Sequence, residues 1–340
     1  MPAQVPPDLS IIIVSWNVRE LLARCLRSLR VSPRLHIRGL NSSSPGSEER
    51  IYSAEVIVVD NASAHGSTAM VAASFPWVTL LANDDNRGFT AGNNQGLEIS
   101  CGRYVLFLNP DTEVIGDALL TMLDYLEAHS DVGALGPELH YADGSLQSSR
   151  RRFPTLMTGF FESTPIAWHW PENPWARRYR MEGEEAGSTR LVDWVVGAAL
   201  LVRRETLDQI GGFDEGYFMY SEELDWCHRA KNAGWKVVYL PSARIVHHEG
   251  KSSEQATAAR HVHFQTSKVR YFRKFHGPLA GEALRLGLLG MFAGEWALEG
   301  VKRLLGSKKD LRRQRMAAYG QLLRSGLRPD GSRVASRGGA

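Results

Sequence analysis

The first 110 residues alternate short apolar runs with segments of helical periodicity, and this alternation constrains the fold more than any other feature. Each run is rich in Val, Ile and Leu, which is typical of strands buried on both faces. Strands that alternate with helices predict a mostly parallel α/β sheet flanked by helices. The predicted strands are Leu9–Val14, Val56–Val59, Val78–Leu81 and Arg103–Leu108.

Polar side chains follow these runs at the point where each predicted strand ends. Asn17, Asp60, Arg87 and Asp111 each lie shortly after one of the four runs. Ligands bind outside the carboxyl ends of the strands in sheets of this kind, so the four residues predict a pocket. No GxGxxG turn opens the first helix. This absence disfavours a nicotinamide-dependent dehydrogenase.

A second block, residues 192–253, combines acidic residues with aromatic ones. Glu222, Glu223 and Asp225 follow an aromatic loop, and His247 and His248 end the next apolar run. Ionised carboxylates repel one another and are costly to desolvate, so a partly buried cluster needs a cation, a substrate or a proton. The block therefore predicts a functional site.

Length and composition fit one large α/β domain with an appendage. The chain has 340 residues, 43% of them apolar, and a formal net charge of +3. Lys and Arg outnumber Asp and Glu from Lys302 onward, which suggests contact with anionic lipid or, equally, a solvated helical surface. Three widely spaced cysteines and a start without a secretory signal pattern lead us to expect a reducing, cytoplasmic setting.

Seven ordered motifs resemble one family. They read IIIVSWN, VIVVDNAS, NRGFTAGNNQG, YVLFLNPDTE, GAALLVRR, GGFDEGYFMYSEELDWCHRAKNAGW and HH. Together they resemble family 2 inverting glycosyltransferases of the GT-A fold, a mostly parallel Rossmann-like sheet flanked by helices. The NPD and RRFP segments are most similar to the rhamnosyltransferase-like branch. The resemblance covers residues 9–275 and implies an enzyme that transfers a sugar from a nucleoside diphosphate.

The resemblance also implies how the chain is divided. Residues 9–275 form the catalytic domain, with a nucleotide-binding half at 9–130 and an acceptor half at 131–275. The resemblance does not extend beyond residue 275, and from the sequence pattern we expect a basic helical extension at 276–330 and a disordered tail at 331–340. Residues 140–190 show no clear periodicity, so we expect them to be irregular.

Donor binding is implied for residues that match the family's motifs at the strand ends. Asp60 stands where relatives accept a hydrogen bond from the base, and a pyrimidine imide N–H needs a fixed acceptor. A cap or a turn is the alternative role for Asp60, and Arg87 either offsets diphosphate charge or is solvated. The nucleotide-sugar set is Val14, Ser15, Asn17, Asp60, Asn61, Arg87, Gly88, Asn93, Asn109 and Asp111.

A divalent cation, Mg²⁺ or Mn²⁺, is implied by the family's DxD motif, which here reads Asn109-Pro110-Asp111. The first carboxylate is missing. Mg²⁺ commonly uses one or two carboxylates plus phosphate oxygens, so Asp111 still predicts metal binding that depends on the nucleotide. His247 matches a position that completes this site, and His248 is the alternative ligand. A plain turn is the alternative for the NPDT segment.

Catalysis is implied for the acid pair Glu222-Glu223, where Glu223 stands in place of the usual aspartate base. In an inverting transfer a carboxylate takes the proton of the attacking hydroxyl, which contributes about 10² to 10⁴-fold. Asp225 either contacts the acceptor or supports the loop. The predicted acceptor contacts are Trp194, Gly197, Tyr220, Asp225 and Arg152.

The first donor expected is dTDP-rhamnose, and UDP-hexose or UDP-galactofuranose are the alternatives. The acceptor expected is a cell-surface glycan or a lipid-linked sugar at the cytoplasmic face of a membrane, with peripheral contact through the basic C-terminus and no nucleic acid. Asn109 and Glu223 depart from the family pattern. A catalytically silent binder of nucleotide sugars or glycans therefore stays open as another class of function.

Overall fold

A computed structural model describes residues 5–30, 34–40, 50–248, 257–306 and 308–329. The expected disordered tail at 331–340 lies outside the described residues. The chain forms two compact units. The first comprises Met1–Arg152, Glu184–Asp214 and Glu223–Ser252, and the second Phe153–Gly183, Glu215–Glu222 and Ser253–Ala340.

The strands all belong to the first unit. They are β1 (Leu9–Ser15), β2 (Leu35–Ile37), β3 (Tyr52–Asn61), β4 (Val78–Asn83), β5 (Tyr104–Leu108), β6 (Thr112–Val114), β7 (Val132–His140), β8 (Leu146–Gln147), β9 (Arg150–Arg151), β10 (Arg190–Val192), β11 (Trp194–Val195), β12 (Ala199–Arg203) and β13 (Lys236–His247). In the described residues eleven of them form one sheet, and β9 pairs with β11 separately.

The helices surround this sheet or build the second unit. They are α1 (Arg19–Ser28), α2 (Ser67–Ser74), α3 (Phe89–Ile99), α4 (Ala118–Ala128), α5 (Leu156–Phe161), α6 (Pro165–His169), α7 (Pro174–Tyr179), α8 (Arg204–Ile210), α9 (Glu222–Asn232), α10 (Thr257–His276), α11 (Pro278–Leu304) and α12 (Lys309–Ser325). In the described parts of the chain, no helix is both long enough and apolar enough to cross a bilayer.

The sheet order brings five strand ends to one edge. The central order is β10-β13-β7-β12-β5-β1-β3-β2, with β4 beside β3. The strands β1, β3, β5, β7 and β13 run in one direction, whereas β12 runs against both of its neighbours, β5 and β7. The start of β12 therefore lies beside the end of β5, where Asn109 N–H donates to Ala198 O at 2.9 Å.

The centre of the sheet is fully buried, as the predicted strands require. Ile11, Ile12 and Ile13 are all 0% exposed, and each stabilises the fold by about 1.5–3 kcal/mol through burial. On one face α3 packs directly on β1, because Gly92 and Gly96 leave room that a Cβ would fill. A Cβ at Gly96 would lie 2.5 Å from Ile12 Cγ2.

The second unit is helical, which confirms the predicted C-terminal helical region. Gly277, at φ 91°, separates α10 from α11, and Pro278 occupies the first turn of α11, where its missing N–H costs nothing. The expectation of irregular structure at 140–190 is wrong in part, because α5, α6 and α7 lie there. These helices have five or six residues, too few to show a helical period.

Candidate active site

A polar pair lies at the ends of the two adjacent parallel strands β1 and β3. Ser15 and Asp60 are register partners, and they are 0% and 2% exposed. Asp60 Oδ2 accepts the N–H of Ser63 at 2.8 Å. Asp60 Oδ1 and Ser15 Oγ are buried and have no hydrogen-bond partner among the described residues. Since a buried acceptor without a donor costs about 1–3 kcal/mol, this pair is suited to a ligand N–H or O–H.

Asn17 joins the loops that follow these two strands. Its backbone adopts the left-handed region at φ 56°, a conformation that asparagine tolerates better than most residues. Asn17 N–H donates to Ser63 Oγ at 2.9 Å, and Asn17 Oδ1 accepts the N–H of Ala64 at 2.8 Å. Asn17 therefore holds together the two loops beside Asp60, and its direct contact with a nucleotide stays a prediction.

The turn before α3 is held by Asn61. Asn61 Nδ2 donates to Gly88 O at 2.9 Å, and Gly88 adopts φ 90°. The neighbouring Arg87 is half exposed and lies 3.3 Å from Asp85 Oδ1. An exposed pair of this kind contributes at most about 1 kcal/mol, so the guanidinium can leave it for a phosphate at little cost.

The first turns of α3 pack against the end of β1. Val14, at the end of β1, is 5% exposed, and a Cβ at Gly92 would lie 2.9 Å from its Cγ1. Asn93 is buried, and its Nδ2 donates to Phe89 O at 2.9 Å. Asn93 Oδ1 has no partner among the described residues and is a second unmet acceptor in this region.

The end of β5 and the end of β13 meet at a second polar group. Asp111 and His247 are buried, and His247 Nε2 lies 3.4 Å from Asp111 Oδ1. Asn109 Nδ2 lies 3.5 Å from the same nitrogen, and Asn109 Oδ1 has no partner in the described part of the chain. On the other side of the ring, His247 Nδ1 lies 3.0 Å from Gln147 Oε1.

The Gln147 contact determines which nitrogen of the His247 ring carries the proton. An amide oxygen only accepts, so His247 Nδ1 carries a proton and donates it to Gln147. In the neutral ring the Nε2 lone pair then faces the lone pairs of Asp111 Oδ1. The Asn109 Nδ2 group near Nε2, or a metal ion bound between the two side chains, would offset the repulsion of these lone pairs. The buried Asn109 Oδ1 adds a third atom of the kind that divalent cations bind.

These donors fit a divalent cation that is completed by a ligand. No group of three His, Cys, Asp or Glu side chains suited to a metal is found within the described ranges. The set at this site is one carboxylate, one imidazole and one amide oxygen, which leaves positions for phosphate oxygens. Metal binding by Asp111 and His247 together with a nucleotide stays a prediction.

The neighbouring histidine has a different role. His248 Nε2 pairs with Glu113 Oε1 at 2.7 Å, and His248 N–H donates to Asp111 O at 2.8 Å. The first contact turns its ring to Glu113, and the second holds the backbone of Asp111. This geometry favours His247 over His248 as the ligand.

The predicted base lies beside the start of β12. Glu223 is in the first turn of α9, and its Oε1 accepts the N–H of Gly197 at 3.3 Å. A Cβ at Gly197 would lie 3.2 Å from Glu223 Cγ, so glycine allows the carboxylate its present position. Because β12 begins beside the end of β5, Gly197 and Glu223 lie at the same sheet edge as Asn109.

Tyr220 and Glu222 belong to the second unit, although both lie within three residues of Glu223 in the chain. Glu222 is 4% exposed. Tyr220 and Ser221 both have positive φ, 71° and 65°. Two consecutive non-glycine residues in this region cost on the order of 1–3 kcal/mol each, and such strain clusters at functional sites. The backbone before the acid pair is thus held in an unfavourable conformation by its surroundings.

The remaining predicted acceptor contacts are engaged within the protein. Asp225 is fully buried, and its Oδ1 accepts from Arg229 Nε at 2.8 Å. Trp194 Nε1 donates to the backbone oxygen of Arg152 at 3.0 Å, and Arg152 Nη2 lies 3.5 Å from Glu184. The burial of Asp225 favours the structural alternative, and acceptor contact by Trp194 and Arg152 stays a prediction.

Gln147 was not among the residues expected from the sequence. It lies on the two-residue strand β8, inside the segment expected to be irregular, and pairs with His247 from 100 residues away. No motif or periodicity marks it. Ser63 was also not predicted as a site residue, although it ends the VIVVDNAS motif, and it hydrogen-bonds with both Asp60 and Asn17.

Comparison with known proteins identifies the family of the chain. The family model described as glycosyl transferase family 2 matches residues 10–211. The N-acetylglucosaminyl-diphospho-decaprenol L-rhamnosyltransferase of Mycobacterium tuberculosis is 33% identical over 273 residues, which are 77% of this chain and 88% of that protein. The rhamnosyltransferase WbbL of Escherichia coli is 34% identical over 149 residues, 43% of this chain and 52% of that protein.

Two solved structures have the same fold. The mannosyltransferase PcManGT of Pyrobaculum calidifontis, in complex with GDP-Man and Mn²⁺, is 17% identical and aligns with a TM-score of 0.51 over 94% of this chain and 86% of that one. GalNAc-T7 with UDP, GalNAc and Mn²⁺ is 15% identical, with a TM-score of 0.52 over 71% of this chain and 43% of that one. They confirm the GT-A fold expected from the sequence. The chain is a glycosyltransferase and belongs to glycosyl transferase family 2, with rhamnosyltransferases among its relatives.

Proposed function

We propose that this enzyme transfers a sugar, with inversion, from a nucleoside diphosphate to an acceptor hydroxyl, and that the donor is dTDP-rhamnose. One observation carries the proposal. Three polar atoms at the ends of three neighbouring strands, Ser15 Oγ, Asp60 Oδ1 and Asn109 Oδ1, are buried without a hydrogen-bond partner in the described residues. Buried polar groups are normally paired, so this edge is suited to a polar ligand.

Asp60 is proposed to recognise the base. Its Oδ2 is held by Ser63 N–H, so Oδ1 stands in a fixed direction as an acceptor. The N3–H of thymine or uracil is a donor of matching polarity, and such charge-assisted bonds are among the stronger ones in proteins. Arg87, half exposed beside Asp85, is proposed to move to the diphosphate.

Asn109, Asp111 and His247 are proposed to hold a divalent cation with the donor. Bound there, the cation would neutralise charge that develops on the diphosphate leaving group. Gln147 orients the His247 ring by accepting from Nδ1, so that Nε2 is presented toward Asp111. Thr112 Oγ1 donates to Asn109 O at 2.7 Å and thereby holds the turn that carries both side chains.

Glu223 is proposed as the general base. The acceptor oxygen attacks the anomeric carbon from the face opposite the diphosphate. As the new carbon–oxygen bond forms, the hydroxyl proton passes to a Glu223 carboxylate oxygen, and the bond from the anomeric carbon to the phosphate oxygen breaks. The nucleoside diphosphate leaves with that electron pair. The Gly197 N–H bond to Oε1 holds the carboxylate in place for this step.

The name of the mycobacterial relative supports rhamnose as the transferred sugar and a lipid-linked acceptor. The same site would accept a UDP-hexose or UDP-galactofuranose, because the imide N–H is common to thymine and uracil. We place the reaction at the cytoplasmic side of a membrane, where nucleotide sugars are made. A silent binder is disfavoured, because the mycobacterial relative that matches 77% of the chain is named as a transferase.

A donor panel tests this proposal. The wild type and Asp60→Asn are compared by thermal shift with dTDP-rhamnose, UDP-galactose and UDP-galactofuranose in Mn²⁺. A donor at 100 times its Kd adds about 2.7 kcal/mol of stability. Asparagine can still accept from Ser63 N–H, but it then turns its NH₂ group toward the base. We expect its donor affinity to fall about 10- to 100-fold, since a bond to a charged group is lost. Equal affinity in both proteins would contradict the role of Asp60.

A further inference from the structure

The helix α11 carries a long exposed face of apolar and small residues. It has 27 residues, so it is about 40 Å long. In α11, all of which is described, the exposed positions from Ala283 to Val301 include no Lys, Arg, Asp or Glu. Most residues of this face follow one another at intervals of three or four positions, as residues on one side of a helix do. It comprises Leu279, Ala283, Leu286, Gly290, Ala293, Gly294, Ala297, Val301 and Leu304.

The large side chains of this face are in contact with solvent. Leu279 is 86% exposed, Leu286 56%, Val301 54% and Leu304 87%. A Cβ added at Gly290 or Gly294 would meet no atom within 4 Å, so the middle of the face is also open. Contiguous apolar surface of this kind usually marks a site of protein or membrane contact.

The opposite side of α11 is already occupied. Leu284, Leu288 and Phe292 are buried there. Glu299 is 2% exposed and accepts two hydrogen bonds from Arg312 Nη1, at 2.7 and 2.8 Å, and Glu282 pairs with Arg285. The charges of α11 thus lie on its flanks or against α12, and the open face is what remains after the helical unit has packed.

In the sequence, basic residues lie near both ends of the face. Arg303 directly precedes the last residue of the face, Lys308, Lys309 and Arg313 follow the face, and Arg273 and Lys274 precede it. A second copy of this chain would bring basic ends together whether the two helices met parallel or antiparallel. A surface of anionic lipid headgroups is complementary to both ends, and its acyl boundary takes up leucine side chains.

We infer that the exposed face of α11 lies flat in the headgroup region of an anionic phospholipid bilayer. The residues that enter the bilayer are Leu279, Leu286, Val301 and Leu304, and the basic residues at either end contact the headgroups. The inference goes beyond the sequence-based expectation, which assigned membrane contact to the basic C-terminus alone. It also goes beyond the proposed reaction, because binding of the protein to the bilayer is measured without donor or acceptor.

Sedimentation with vesicles of 3:1 phosphatidylcholine and phosphatidylglycerol tests the inference on the full chain. The face variant is Leu286→Asp, Val301→Asp and Leu304→Asp together. Its matched control is Leu191→Asp, because Leu191 on β10 is also 56% exposed but lies in the other unit. A second variant, Lys309→Gln with Arg313→Gln, changes only charge. Circular dichroism and soluble-donor binding check that each variant is folded.

We expect the wild type and Leu191→Asp to bind these vesicles equally and to bind pure phosphatidylcholine less. The face variant should lose at least about 100-fold in partition coefficient, through lost apolar burial and added repulsion. The charge variant should lose about 30-fold in partition coefficient at low salt and less as salt rises. Wild-type binding by the folded face variant would overturn the inference. A wild-type dimer that the face variant converts to monomer, without vesicle binding, would assign the face to a second copy and also overturn it.

Discussion

Gly197→Ala tests whether the carboxylate of Glu223 is positioned by the start of β12. The new Cβ would lie 3.2 Å from Glu223 Cγ and 3.3 Å from its Cβ and Cδ. Ordinary carbon contacts begin near 3.5 Å, so the Glu223 side chain must shift by a few tenths of an ångström. The same shift lengthens the bond from Gly197 N–H to Oε1, which is already 3.3 Å.

The size of the effect follows from that displacement. A misplacement of about 1 Å costs roughly 10²-fold in rate, so a shift of a few tenths should lower kcat about 3- to 10-fold. Donor KM should stay constant, because Asp60 and Ser15 lie on other strands. Initial rates are measured by release of nucleoside diphosphate at saturating donor. Gly187→Ala is the control, since its Cβ would meet no atom within 4 Å. A full rate in Gly197→Ala would refute this positioning, and so would a loss of donor affinity without loss of kcat.

Two further variants separate metal binding from stability. Asp111→Asn should lower turnover about 100-fold and weaken the binding of nucleoside diphosphate in Mn²⁺. The control Glu113→Gln, which loses only the pair with His248, should keep wild-type turnover and binding. Calorimetric titration of nucleoside diphosphate with and without Mn²⁺ measures the binding. Arg203→Met should lower the free energy of unfolding by about 3–5 kcal/mol, because this buried guanidinium donates to Leu126, Val132 and His129 backbone oxygens. Urea unfolding measures it, with the exposed Arg24→Met expected to change stability by less than about 0.5 kcal/mol.

The ends of the central strands could be predicted because a short apolar run in the sequence is enough to identify a buried parallel strand. The runs around Ile11 to Val14 and Val56 to Val59 are apolar on both faces, and such runs have few alternatives to a central strand. Once parallel pairing is assumed, Ser15 and Asp60 must lie side by side. The register of β1 and β3 places them as direct partners.

The direction of β12 could not be predicted in the same way. Its run, Ala199–Arg203, is as apolar as the parallel strands, and nothing in its composition shows that it runs against β5. Direction depends on the path of the preceding chain, which here includes the short helices α5, α6 and α7. The contact between Gly197 and Glu223, 26 residues apart, follows from that path.

The open face of α11 could not be predicted from the mean hydropathy of the segment. Glu282, Arg285, Glu295 and Glu299 interrupt the apolar run, so the segment reads as an ordinary surface helix. Only the positions of the residues around the helix axis show that these charges lie on its flanks or against α12 and leave one side apolar. The basic residues beyond Lys302 were visible in the sequence, but the surface that they border was not.

The most direct test is the turnover of Glu223→Gln beside Glu222→Gln, with dTDP-rhamnose and Mn²⁺. Glutamine keeps the size of the side chain and can still accept from Gly197 N–H, but it cannot take the acceptor's proton. We predict that Glu223→Gln lowers kcat and kcat/KM together by 10² or more with donor Kd unchanged, and that Glu222→Gln stays active. An active Glu223→Gln beside an inactive Glu222→Gln would move the base by one residue, and normal turnover in both would contradict a base at this acid pair.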